Sequence, residues 1–139
     1  MTSKHRQQSI NLDGKVLDAG SMDIKIEVSK PQFYDEHMTD NFGLFDKRKA
    51  TISLQEGQQD WFEKNSLVHE IFHLCVWLST TNSEGMCLEK SEDEELVVNS
   101  LTNHFMTILK QNKWLRDYLL KDKIFLLSSS NFLCRRLNA

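Results

Sequence analysis

Between Met22 and Val28 apolar and polar residues alternate one for one. Met22, Ile24, Ile26 and Val28 fall on one face, and Asp23, Lys25 and Glu27 on the other. A period of two predicts a strand with one face buried. Upstream, residues 9–18 carry a shorter alternation broken by Asp13-Gly14. Downstream, the single proline, Pro31, ends the strand, and Lys30 before it is biased towards extended geometry. Phe42-Gly43-Leu44-Phe45, the charged turn Asp46-Lys47-Arg48-Lys49 and the run from Ala50 to Leu54 then predict an antiparallel hairpin.

From Asp60 the period lengthens to that of a helix, which runs to about Leu78 or Ser79. Asp60 followed three residues later by Glu63 fits a capping box at its start. The polar stretch 80–93, with Gly85, reads as a loop. A second helix over 92–111 has Val97, Val98, Leu101, Phe105, Ile108 and Leu109 as its expected core stripe. A short third helix is expected over 114–120. The tail, 124–137, reads as a helix or strand packed on the domain, or as a self-association element. The sum is an α+β domain in which a small, mainly antiparallel sheet packs on one helix and on the helix that follows it.

Length agrees with a single domain over 1–139, its core about 9–120, because 139 residues can bury a real core without staples. Hydrophobic residues at 40% and charged ones at 27% are ordinary for a globular protein. With a net charge of −3 and scattered Lys and Arg, the chain has no basic footprint for nucleic acid. Three cysteines, Cys75, Cys87 and Cys134, lack CxxC spacing, which argues against a disulfide framework or a cysteine zinc site. The first eight residues are polar and no apolar run approaches the ~20 residues that span a bilayer. The expectation is a soluble, cytoplasmic protein with no membrane partner.

The chemistry lies in the first helix. Every position from Leu67 to Leu78 is apolar except His69, Glu70 and His73. A helix apolar all round is expected to be buried on all sides, where an uncompensated carboxylate is expensive. A bound cation would compensate Glu70. His69 and His73, four apart, stack on one face and can share one tetrahedral metal, while Glu70 projects beside them as a base for the attacking water. This is the H-E-x-x-H arrangement of zinc peptidases, with Zn2+ as the metal. The bland alternative is a pair of core histidines that only hydrogen-bond.

A third ligand is expected among Glu89, Glu92, Asp93, Glu94 and Glu95. Otherwise that acidic run would be a solvated helix start favoured by the helix dipole. His104, nine residues past Glu95, falls on roughly the opposite face. His5 and His37 read as surface residues, and nothing in the sequence positions Tyr34 or Tyr118 as an oxyanion donor. Cys75 points away from His73 and reads as a small core residue, as do Trp61, Phe62, Phe72 and Trp77.

Leu67-Val68-His69-Glu70-Ile71-Phe72-His73-Leu74-Cys75-Val76-Trp77-Leu78, followed by the helix from Glu92, resembles the ImmA/IrrE-type metallopeptidases, a zincin group frequent in bacterial and phage genomes. Their second helix reads roughly E-x-x-A-N-x-F. Glu95-Leu96-Val97-Val98-Asn99-Ser100-Leu101 is similar, with Val98 in the small slot and Leu101 in the large one. The hairpin sequence 43–54 is similar too, so the resemblance covers roughly 42–111. It departs where the family often has a small residue after the second histidine and this chain has Leu74 and then Cys75. The resemblance implies a zincin-like fold, His69, His73 and Glu95 as metal ligands and Glu70 as the general base. A helical wheel puts Glu94 nearer the centre of the apolar stripe and Glu95 at its edge, so Glu94 stays open as the alternative ligand.

These expectations point to a metallopeptidase acting on a protein or peptide, such as a regulatory protein. A zinc-bound module that binds a protein segment without hydrolysis, and a metal-free interaction protein, are the readings from other classes.

Overall fold

The computed structural model describes residues 10–29 and 42–120. Pro31, His5, Tyr34, His37, Cys134 and the expected tail element lie outside them. The chain divides into two compact units, Met1–Thr102 and Asn103–Ala139.

In the first unit, strands β1 (Val16–Asp18), β2 (Asp23–Ser29), β3 (Gly43–Asp46) and β4 (Thr51–Gln55) form a sheet in the order β1-β2-β4-β3. The predicted hairpin is β3–β4, antiparallel, with Phe45 opposite Ile52. Its turn is closed by Asp46, whose Oδ1 accepts from the backbone N–H groups of Arg48 and Lys49. β1 pairs antiparallel with β2, but β2 pairs parallel with β4. The sheet is therefore mixed rather than mainly antiparallel, because its longest ladder is the parallel one at the centre. Ile26 opposite Ile52 and Val28 opposite Leu54 put the apolar sets of both strands on one face. Ile24, Ile52 and Leu54 are fully buried there, and Leu74 of the first helix closes the core over them.

That helix, α1 (Asp60–Leu78), packs on β3 and β4. Gln59, not Asp60, is its cap residue and makes no side-chain cap hydrogen bond. Asp60 already lies in the first turn, where its charge suits the positive helix end and pairs with Lys64. The expected capping box is thus absent. Nor is α1 buried on all sides. Leu67, Ile71, Leu74 and Trp77 form one stripe against the sheet, whereas Phe62, Cys75 and Leu78 are exposed. The composition is apolar all round, but one sheet layer covers one side only. Cys75 is accordingly a surface thiol rather than a core residue.

A turn-rich loop leads to α2 (Ser91–Gln111). Its buried positions step by four, Val98, Thr102 and Met106, and Glu94 continues that row towards the helix start. Leu101, Phe105 and Ile108 of the expected core stripe are exposed. The inward row is the one that carries Glu94, whose carboxylate is hydrogen-bonded to α1 and to the loop, so a polar anchor sets the rotation of the helix. In the second unit, after Asn112, α3 (Lys113–Leu120) buries none of its residues. No helix among the described residues is long and apolar enough to cross a membrane.

If α1 has a single buried face, Leu74→Ala should cost about 2–5 kcal/mol of unfolding free energy, the range for truncating a core leucine. Cys75→Ser should stay within roughly 0.5 kcal/mol. Urea unfolding of both variants checks this, and similar losses would mean a second buried face.

Candidate metal centre

His69 and His73 lie one turn apart on the flank of the buried stripe of α1, with ring centroids 4.7 Å apart. The start of α2 brings Glu94 and Glu95 to the same place. Successive helical residues diverge by about 100°, so the two carboxylates reach opposite sides of one imidazole.

Glu94 takes the outer side. Its Oε1 is 2.7 Å from His73 Nδ1, and its Oε2 accepts from Asn82 Nδ2 at 3.0 Å. Its side chain is only 16% exposed, so the contact is shielded from water. With Nδ1–H donated to a carboxylate, the lone pair of His73 sits on Nε2. That nitrogen faces inward, 3.0 Å from His69 Nε2 and 3.1 Å from Glu95 Oε2. His69 Nε2 is in turn 3.4 Å from Glu95 Oε1. Asn99, one turn after Glu95, donates to that same Oε1 at 2.8 Å.

Lone-pair atoms from His69, His73 and Glu95 thus converge on one point. A metal bound at about 2.0–2.1 Å with tetrahedral angles sets its ligand atoms about 3.3 Å apart; the two imidazole nitrogens are 3.0 Å apart, and one atom from each of the three residues lies within 4.8 Å of the others. A proton on His73 Nε2 could point at one neighbour only, whereas a cation at the centre faces all three. The group could hold a metal ion.

The electrostatics agree. Burial, aided by repulsion from His73 whenever that ring takes a second proton, holds the His69 imidazole below its ordinary pKa despite the opposing pull of Glu95. The ring is therefore neutral near pH 7, the form that ligates metals. Glu70, 6% exposed, projects between α1 and β3. Burial pushes its carboxyl up to about 7, against the charge of His73 and a hydrogen bond from the backbone N–H of Phe45, which both lower it, while the charge of Glu95 adds to the rise. A cation nearby would favour the ionised form.

These residues line a cleft of ≈ 750 Å³ whose opposite wall is β3 and its turn, from Phe42 to Arg48. Comparison with family models, curated proteins and solved structures finds no match. The donor set and its spacing therefore carry the functional reading.

All four residues singled out in the sequence, His69, Glu70, His73 and Glu95, line this cleft, and so does Glu94. Glu94 faces the nitrogen of His73 that points away from His69, which makes it an orienting partner rather than a member of the converging group. His104 lies in the exposed part of α2. Sequence reasoning missed Asn82 and, although Asn99 stands in the Glu95–Leu101 motif, assigned it no role. Asn99 stands four residues past Glu95, the spacing at which helical side chains meet, so it was findable. Asn82 sits in the loop, where no periodicity marks it.

The two glutamates should separate in a zinc competition titration against a chromophoric chelator. Glu94→Gln should weaken binding about 10–100-fold, as loss of an orienting carboxylate does. Glu95→Gln should weaken it more, because a ligand is lost. The reverse order would exchange their roles.

Proposed function

We propose that the chain is a zinc-dependent metallopeptidase that hydrolyses a peptide bond in a protein substrate. The observation that carries this reading is the trio His69 Nε2, His73 Nε2 and Glu95 at 3.0–3.4 Å from one another, with Glu70 next in sequence and lining the same cleft. Two histidines and one glutamate are a ligand set of catalytic zinc, which keeps its fourth position open. Bound there, zinc would polarise the scissile carbonyl and bring the pKa of water towards ~7.

The other steps fall to the protein. Glu70 takes a proton from the attacking water and returns it to the leaving nitrogen. Its shielded position keeps the carboxylate from being fully solvated, and the bound cation would favour its ionised form, the form that accepts a proton. Glu94 and Asn82 fix the tautomer and plane of His73, and Asn99 orients Glu95. Among the described residues β3 is an edge strand, and it borders the cleft. An extended peptide could add to that edge through backbone hydrogen bonds, which would set its scissile bond across the trio. The resemblance of the two helices and the hairpin to the ImmA/IrrE-type enzymes supports the same reading, with a regulatory protein as the kind of substrate it suggests and zincin-like packing as the arrangement.

Glu70→Gln should retain metal and melting temperature while turnover of an unfolded test protein, followed by mass spectrometry, falls by at least ~10²-fold, the lower end for losing a general base. Cleavage at the wild-type rate by a variant shown to hold its metal would exclude the mechanism.

A further inference from the structure

Five glycines punctuate the chain, and one differs from the rest. A Cβ built on Gly14, Gly20, Gly57 or Gly85 would meet nothing within 4 Å, and each of these glycines has a positive φ. They serve turns. Gly43 does not have a positive φ, so its backbone conformation does not call for glycine. Instead it is buried in β3, and a Cβ there would stand 2.9 Å from Glu70 Cγ, 2.9 Å from Oε1 and 3.3 Å from Cδ. Ordinary carbon contacts begin near ~3.5 Å.

We infer that Gly43 is a positioning residue for Glu70: the missing side chain leaves the slot in which the carboxylate arm lies between α1 and β3. The catalytic consequence of this inference rests on the proposed role of Glu70 as base.

The strand supplies both sides of the slot. Gly43 and Phe45 are two apart and so share a face of the sheet. That face meets α1, since Phe45 packs on Trp77 with ring centroids 5.7 Å apart. Gly43 provides the space under the Glu70 arm, and the backbone N–H of Phe45 is near enough to its carboxylate to lower its pKa. The three nearest neighbours of the missing Cβ are all Glu70 side-chain atoms, none of them backbone of α1. What the glycine accommodates is thus the arm of Glu70 rather than a close helix–strand approach. An alanine would push the arm out of the slot, while His69, His73 and Glu95 would stay in place.

The test is a cycle of wild type, Gly43→Ala, Glu70→Ala and the double variant, read by melting temperature, by affinity for zinc alone and by cleavage kinetics. Gly43→Ala should lower the melting temperature by roughly 3–6 °C in the presence of Glu70, as expected for crowding a buried side chain in a chain of this size. In the Glu70→Ala background the same change should leave it unchanged or slightly raised, because alanine restricts the unfolded chain where the native φ permits it. Zinc affinity of Gly43→Ala should remain within about twofold of wild type, and its kcat should fall at least about tenfold with KM held. If Gly43→Ala fails to fold, folding of the double variant supports the inference and its failure to fold overturns it. Equal melting losses in the two backgrounds, or no loss in either, would also overturn it. Should wild type cleave nothing, the peptidase reading fails by itself and the melting cycle still decides the role of Gly43.

Discussion

Two imidazole nitrogens stand 3.0 Å apart where α1 meets the start of α2, and the Glu95 carboxylate faces both, one oxygen 3.1 Å from His73 and the other 3.4 Å from His69. Atoms of that kind repel unless positive charge lies among them. The surrounding polar contacts push towards the convergence rather than away from it. Glu94 fixes the His73 proton on the outer nitrogen, Asn82 holds Glu94, and Asn99 holds Glu95. Burial, above all, lowers the pKa of His69 and so favours its neutral form. Removing any of these partners would relax the centre, which is why they belong to its description as much as His69, His73 and Glu95 do.

Catalysis by such a centre needs a base that is close to the metal yet not bound to it. Side chains one apart on a helix point about 100° away from each other, so Glu70 cannot stack with His69 and is carried round towards β3 instead. There it lies against Gly43, where a side chain would stand 2.9 Å from its Cγ. The same strand forms the far wall of the cleft. Glu70, the histidine pair and the β3 edge are thus placed by the packing of one helix on one hairpin, and α2 adds Glu95.

Local order was largely legible in the sequence. The alternation around Ile24 and Ile26 marks a strand with one buried face, and the helix limits fall within a residue or two of those expected. His69, Glu70 and His73 were legible because helical spacing alone puts them together. What periodicity cannot tell is which strand neighbours which. Ile52 and Leu54 match Ile24 and Ile26 equally well in a parallel or an antiparallel ladder, so the central parallel pairing is a tertiary choice. For the same reason α1 looked buried all round. Its composition is symmetric, and only the sheet decides that Leu74 faces in and Cys75 faces out. The choice between Glu94 and Glu95 was open because the apolar stripe pointed to Glu94; the stripe was right about which row turns inward and silent about which nitrogen of His73 it would meet. Gly43 gave no signal, since its meaning lies in what stands opposite it.

The central claim is that His69, His73 and Glu95 bind one ion together. A crystal structure of the zinc-loaded protein, with anomalous data collected on both sides of the zinc edge, tests it most directly. The account predicts one anomalous peak per chain, about 2.0–2.1 Å from both inward Nε2 atoms and from an oxygen of Glu95, with Glu94 still on Nδ1 of His73. A peak bound by Glu94 in place of Glu95, or no peak between the two histidines, would contradict it.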